Sequence, residues 1–175
     1  MLIAYIHGYL TSGAKARKSL ELRAALEGNA KFSFAAPEFD DHPAKAYDDL
    51  CAFTEQALKT GPIALVGSSM GGLLATLLSI RYRIRACLIN PCVHPQLLFA
   101  KELGHHVNPA TGHEFELTEA DLETLIDFDR QAQSYDPKLI KVYLETGDEV
   151  LDYRRAREFF KEASQMVIAG GNQIG

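Results

Sequence analysis

The chain has 175 residues, 47% hydrophobic and 23% charged, with a formal net charge of −5 and a pI near 5.7. That is the profile of one ordinary globular domain, able to bury a core without disulfide staples, and its acidic balance argues against a nucleic-acid partner, which needs a basic surface. The opening run Met1–Gly8 lacks a basic leader and is too short to cross a bilayer, so neither a signal peptide nor a membrane span is expected.

Leu2–Ile6 is a short apolar run that ends at His7-Gly8 and suits a buried strand. Ala14–Leu26 carries apolar residues at helical spacing and stops at Gly28-Asn29. Phe32–Ala36 reads as a second strand, ended by Pro37. Pro43–Lys59 reads as a helix with proline at its start and Gly61-Pro62 beyond its end. Ile63–Val66 is a third strand, Gly71–Tyr82 an apolar helix, and Ala86–Ile89 a fourth strand closed by Asn90-Pro91.

The rhythm then breaks. Residues 92–135 hold Pro95, Gly104, Pro109 and Gly112 and no clear strand. Only Thr118–Arg130 looks helical, with Thr118 to Asp121 resembling a capping box in which Asp replaces Glu. This segment reads as a lid-like insertion within a single domain spanning 1–175. Alternation resumes with a strand at Ile140–Glu145, a helix at Tyr153–Ala163 and a final strand at Met166–Ala169. Strands separated by helices imply right-handed crossovers and a doubly wound, mainly parallel sheet of about six strands with helices on both faces. Cys51, Cys87 and Cys92 form an unpatterned set without C-x-x-C, as expected of reduced thiols in a cytoplasmic protein.

Three stretches carry chemistry. Gly67-Ser68-Ser69-Met70-Gly71 fits G-x-S-x-G, with an apolar strand leading in and an apolar helix leading out. That context makes Ser69 a candidate nucleophile on a strained turn, with Gly67 and Gly71 present because a Cβ at either would collide with its neighbours. A turn without chemistry is the alternative. A phosphate loop is not supported, because no G-K-[ST] follows. His7-Gly8-Tyr9 follows the first strand, where an α/β-hydrolase places an oxyanion-hole loop. The backbone amides of Tyr9 and Met70 would form the hole, with His7 and Gly8 supporting the loop. Glu145-Thr146-Gly147-Asp148 follows a late strand, where such a fold keeps the carboxylate that orients a histidine. Asp148 is preferred over Glu145 and Glu149 because it follows the Gly147 turn, and capping the next helix is a second role compatible with the first.

H-G-Y-L-T-S, V-G-S-S-M-G-G, N-P, N-P-A-T-G and T-G-D-E-V-L-D-Y together resemble the small bacterial esterases of the YqiA/YcfP type, the UPF0227 group of α/β-hydrolases. The resemblance runs from the first residues to Gly171-Asn172. It implies a cytoplasmic hydrolase of small-molecule carboxylic esters or acyl thioesters that needs no cofactor, with Ser69 as nucleophile and Asp148 as triad acid. In that group the last strand leads into G-G-N-H, whose histidine is the general base, and then into a closing helix.

This chain instead reads Gly170-Gly171-Asn172-Gln173 and ends two residues later. All six histidines precede Asp148. Glutamine does not titrate near neutral pH and cannot take the serine proton, so activity is expected to be impaired. A chain altered near its end, or a binding homologue that keeps the pocket, would each explain the change. A missing helix would leave apolar surface bare beside the last strand and favour a homodimer. His105, His106 and His113 lie in the insertion, where one could reach Ser69. A metal site is not expected there, since no carboxylate sits at H-E-x-x-H spacing. Leu97, Leu98, Phe99 and Leu103 are placed either to line an acyl pocket or to anchor the insertion.

Overall fold

The computed structural model of the chain describes residues 1–171. In chain order these form β1 (Leu2–Ile6), α1 (Arg17–Leu26), β2 (Ser33–Ala35), α2 (Pro43–Leu58), β3 (Ile63–Ser68), α3 (Met70–Tyr82) and β4 (Ala86–Ile89). There follow α4 (Gln96–Phe99), β5 (Gly104–Val107), β6 (Glu114–Leu117), α5 (Glu119–Ala132), β7 (Ile140–Glu145), α6 (Tyr153–Phe159) and β8 (Ser164–Ile168). Among the described residues, no helix is long and apolar enough to cross a membrane.

Six of the strands form one parallel sheet in the order β2-β1-β3-β4-β7-β8. The step from β1 to β2 runs one way across the sheet and every later crossover runs the other way. Right-handed crossovers therefore put α1 on one face and α2, α3 and α6 on the opposite face. Alternate residues of β3 follow this division: Ile63 and Leu65 are buried, while Ala64 and Val66, on the α1 face, are only half-buried. At the edge strand β8, Met166, Val167 and Ile168 are 49%, 43% and 45% exposed. The point at which the closing helix was expected to be missing lies outside the described residues.

The core sits between the sheet and α3. This helix is buried on every side from Met70 to Ser79, because the sheet covers one flank and α5 and α2 cover the others. Leu65, Leu73, Leu74, Leu78, Leu88 and Leu144 are almost fully buried there, each contributing about 1.5–3 kcal/mol. A helix so enclosed fixes its own N-terminus, and that N-terminus is where Ser69 stands.

Residues 92–135 depart from the expectation of a loop with one helix. They add α4 and the antiparallel hairpin β5–β6. The hairpin was hard to read because its strands are short and half polar: only Phe115 and Leu117 turn inward, between Glu114 and Glu116. The helix α5 begins where it was expected. Thr118 Oγ1 accepts from Asp121 N at 3.2 Å and Asp121 Oδ2 accepts from Thr118 N at 2.9 Å, so Asp serves in the capping box.

Candidate active site

The turn from β3 into α3 is tight. Ser69 holds φ 53° and ψ −123°, a region that L-residues avoid and that costs of order 1–3 kcal/mol. Three backbone hydrogen bonds hold it there. Ser69 N donates to Ile89 O at 3.2 Å, and Ser69 O accepts from Gly72 N at 2.9 Å and Cys92 N at 2.8 Å. Both neighbouring glycines are sterically required. A Cβ on Gly67 would stand 2.3 Å from Gly71 O, and one on Gly71 would stand 2.1 Å from Ile6 O. The adjacent Ser68 faces the α1 side, where its Oγ lies 2.7 Å from Tyr5 OH.

The loop after β1 reaches the same point. A Cβ on Gly8 would come within 3.3 Å of Ser69 Cβ, a tight contact, and the glycine lets the loop lie close against the serine. His7 is buried, and its Nδ1 donates to Gly8 O at 2.8 Å. That bond fixes the tautomer, because a carbonyl can only accept. Burial lowers the imidazole pKa from 6.5, against weaker opposing effects of the Gly8 bond and of Glu38 and Asp41, so the ring is neutral near pH 7. It stacks on Phe39 with centroids 4.0 Å apart. His7 thus props the loop from behind.

Asp148 sits in the turn after β7. Its Oδ1 accepts from Val150 N at 2.9 Å and Leu151 N at 2.8 Å. The cap of α6 is Asp152, whose carboxylate accepts from Arg154 N, so the helix-capping role belongs to Asp152 and Asp148 shapes the turn. Desolvation raises the Asp148 pKa above 3.8 despite the two amides and Lys18, and Glu145 adds to the rise. The turn is braced by Asn90, which the sequence marks only as the end of a strand. Asn90 Nδ2 donates to Glu145 Oε2 at 3.0 Å, and its Oδ1 accepts from Glu145 N at 2.7 Å.

The chain after β8 lands on this turn. Gly147 N donates to Gly170 O at 2.9 Å, Gly170 N donates to Thr146 Oγ1 at 3.1 Å, and a Cβ on Gly171 would strike the Glu145 side chain at 2.5 Å. Gln173, two residues on, lies outside the described residues. The insertion histidines hold other partners: His113 Nδ1 lies 2.7 Å from Asp41, His105 Nδ1 lies 3.5 Å from Glu116, and His106 Nε2 contacts Glu102 O. Around Ser69 the surface forms a cleft of about 340 Å³, with Tyr9, Lys18, Asn90, Leu98, Phe99 and Val150 among its walls. Leu98 and Phe99 thus reach the cleft, whereas Leu97 and Leu103 are exposed.

A family model described as an uncharacterised protein family, UPF0227, matches residues 1–173. Among solved structures, Est1E from Butyrivibrio proteoclasticus with ferulic acid bound superposes with a TM-score of 0.75 at 15% identity, covering 98% of this chain and 80% of that one. Monoacylglycerol lipase from Paleococcus ferrophilus gives 0.69 at 13% identity, over 98% of this chain and 85% of that one. Alpha/beta hydrolase domain-containing protein 10 from mouse gives 0.65 at 16% identity, over 98% and 81%. At such identities the likeness shows the fold, that of the α/β-hydrolases.

Proposed function

The chain belongs to the UPF0227 family, and from that premise we propose that it is built as a serine hydrolase of small carboxylic esters or acyl thioesters. The observation that carries this reading is Ser69 at φ 53° and ψ −123° on the turn between β3 and α3. A strained, glycine-walled serine at a buried helix N-terminus is what acyl transfer requires: an accessible oxygen, with the helix end favouring an oxyanion. In this reading Ser69 Oγ attacks the carbonyl carbon and the amides of Tyr9 and Met70 hold the oxyanion. Asp148 orients the base, and residues 92–135 act as a lid within one domain.

The base is the weak point. The family pattern of the resemblance places histidine at position 173, where this chain has glutamine. Losing that base costs on the order of 10⁶ in kcat, with ~10³–10⁴ over water remaining from the oxyanion hole and binding. Gln173 also favours a second reading, a binding homologue that keeps the pocket and has no turnover.

Hydrolysis of p-nitrophenyl butyrate by the chain, by Ser69→Ala and by Gln173→His separates the two readings, with fluorophosphonate labelling of Ser69 in parallel. Turnover that rises steeply in Gln173→His and vanishes in Ser69→Ala identifies a hydrolase lacking its base. Ligand binding without turnover or labelling in any of the three identifies the binding homologue.

A further inference from the structure

Behind the Ser69 cleft lies a second, smaller cavity of about 30 Å³, bounded by Phe39, Leu74, Leu117 and Leu125. The two spaces share Gly8, Tyr9 and Phe99 as walls. Tyr9 and Phe99 meet edge to face, with centroids 4.9 Å apart and planes at 88°. Phe99 is 3% exposed, and as the last residue of α4 its backbone N donates to Pro95 O at 2.8 Å. The ring is therefore held as a fixed partition rather than as a mobile surface side chain.

We propose that Phe99, standing edge-on to Tyr9, closes the acyl end of the Ser69 cleft and limits the substrate to short acyl chains, with the small cavity as unused space behind it. This rests on the serine-hydrolase reading and adds which ester is taken. The direction follows from the chemistry. A base oriented by Asp148, as Gln173→His would restore, protonates the leaving group, which therefore departs on the side of the Asp148 turn and Val150. The carbonyl oxygen points at the Tyr9 and Met70 amides. The remaining substituent on the carbonyl carbon, the acyl chain, then runs along the Tyr9–Phe99 wall. The space behind the ring is mostly apolar and has room for about two water-sized groups, so removing the ring joins it to the cleft and lets several more methylenes be buried. Each buried methylene raises kcat/KM by roughly fourfold.

The test is kcat/KM for p-nitrophenyl acetate, butyrate, octanoate and decanoate, measured on the chain and on Gln173→His, each with and without Phe99→Ala. The octanoate-to-acetate ratio within each protein cancels differences in base strength. The expected ratio is low with phenylalanine present and at least roughly tenfold higher in Phe99→Ala. The milder Phe99→Leu, which keeps an apolar side chain in the core, shifts it in the same direction by a few-fold, and adding Ala46→Leu to fill the cavity reverses the gain. A ratio that does not move in a cooperatively melting Phe99→Ala or Phe99→Leu overturns the partition, as does a parent that takes octanoate as readily as acetate. Turnover of short esters with an unmoved ratio removes the partition alone. Absence of turnover at every chain length, with Ser69 unlabelled, removes the hydrolase reading and the partition together.

Discussion

Gly71 passes so close to β1 that a Cβ on it would stand 2.1 Å from the Ile6 carbonyl oxygen and 2.5 Å from that of His7. The contact is between two backbones, with no flexible side chain to give way. It docks the first turn of α3 against the loop that carries Gly8 and Tyr9, and so sets the spacing of the two amides proposed for the oxyanion hole. Gly71→Ala should destabilise by on the order of 3 kcal/mol. In a domain of this size that lowers Tm by roughly 6–12 °C. Scanning calorimetry checks it, and an unchanged melt would mean that helix and strand can move apart freely.

The strain at Ser69 is separable from its chemistry. Glycine reaches φ 53° without the Cβ clash that an L-residue meets. Ser69→Gly should therefore melt above Ser69→Ala by about 2–4 °C, a net gain near 1 kcal/mol after the greater freedom of glycine in the unfolded chain is counted. Equal melting points would show that the turn relaxes once the hydroxyl is gone.

Asp148 is held at a cost to the fold. Its carboxyl pKa is raised above 3.8, chiefly by burial, so the folded protein binds that proton more tightly than the unfolded chain does. The associated stability is present below pH 3.8 and is lost as pH climbs through the folded value. Asp148→Asn keeps the oxygen that accepts from Val150 and Leu151 while removing the charge. It should raise Tm by about 1–2 °C at neutral pH, give no gain at acid pH, and abolish the activity restored by Gln173→His. A lower Tm at neutral pH would mean that the charge stabilises the turn.

Asn108 ties the insertion to the body. Its Nδ2 donates to Thr11 O at 3.0 Å and to Asp41 Oδ1 at 2.8 Å, and its Oδ1 accepts from Ala110 N at 2.9 Å. The side chain is buried, so Asn108→Ala leaves its partners without replacements and should cost about 2–3 kcal/mol. Hydrogen exchange should speed up most between Gly104 and Leu117. Uniform acceleration across the sheet would show that the insertion is not anchored there.

The parallel sheet was legible in the sequence because its inner strands are covered apolar runs cut off by Gly, Pro and Asn; β4 and β7 fell on the expected residues. The elbow was legible because its glycines obey a steric need that leaves a spacing behind. Asn90 was not, since one asparagine before a proline looks like any strand end. Its use depends on Glu145, 55 residues away. The hairpin escaped because four residues give too few alternations to separate a strand from a polar loop. The Tyr9–Phe99 contact joins the first loop to α4, and nothing local in either stretch points to the other.

β4 and β7 are neighbours in the sheet, with Ala86 paired to Ile140 and Leu88 to Val142. The stretch between them, with α4, the hairpin and α5, leaves the sheet and returns to it about 4.8 Å away. Residues of α4 and the hairpin can be lengthened, shortened or exchanged without shifting the β4–β7 ladder, whereas Cys92, whose N donates to Ser69 O, and α5, which covers α3, are tied to the elbow. Phe99 belongs to that exchangeable part, while Ser69 and Asp148 stand on the turns that follow β3 and β7. The architecture thereby separates the two: the wall proposed to face substrate can change with little disturbance to the elbow beside it.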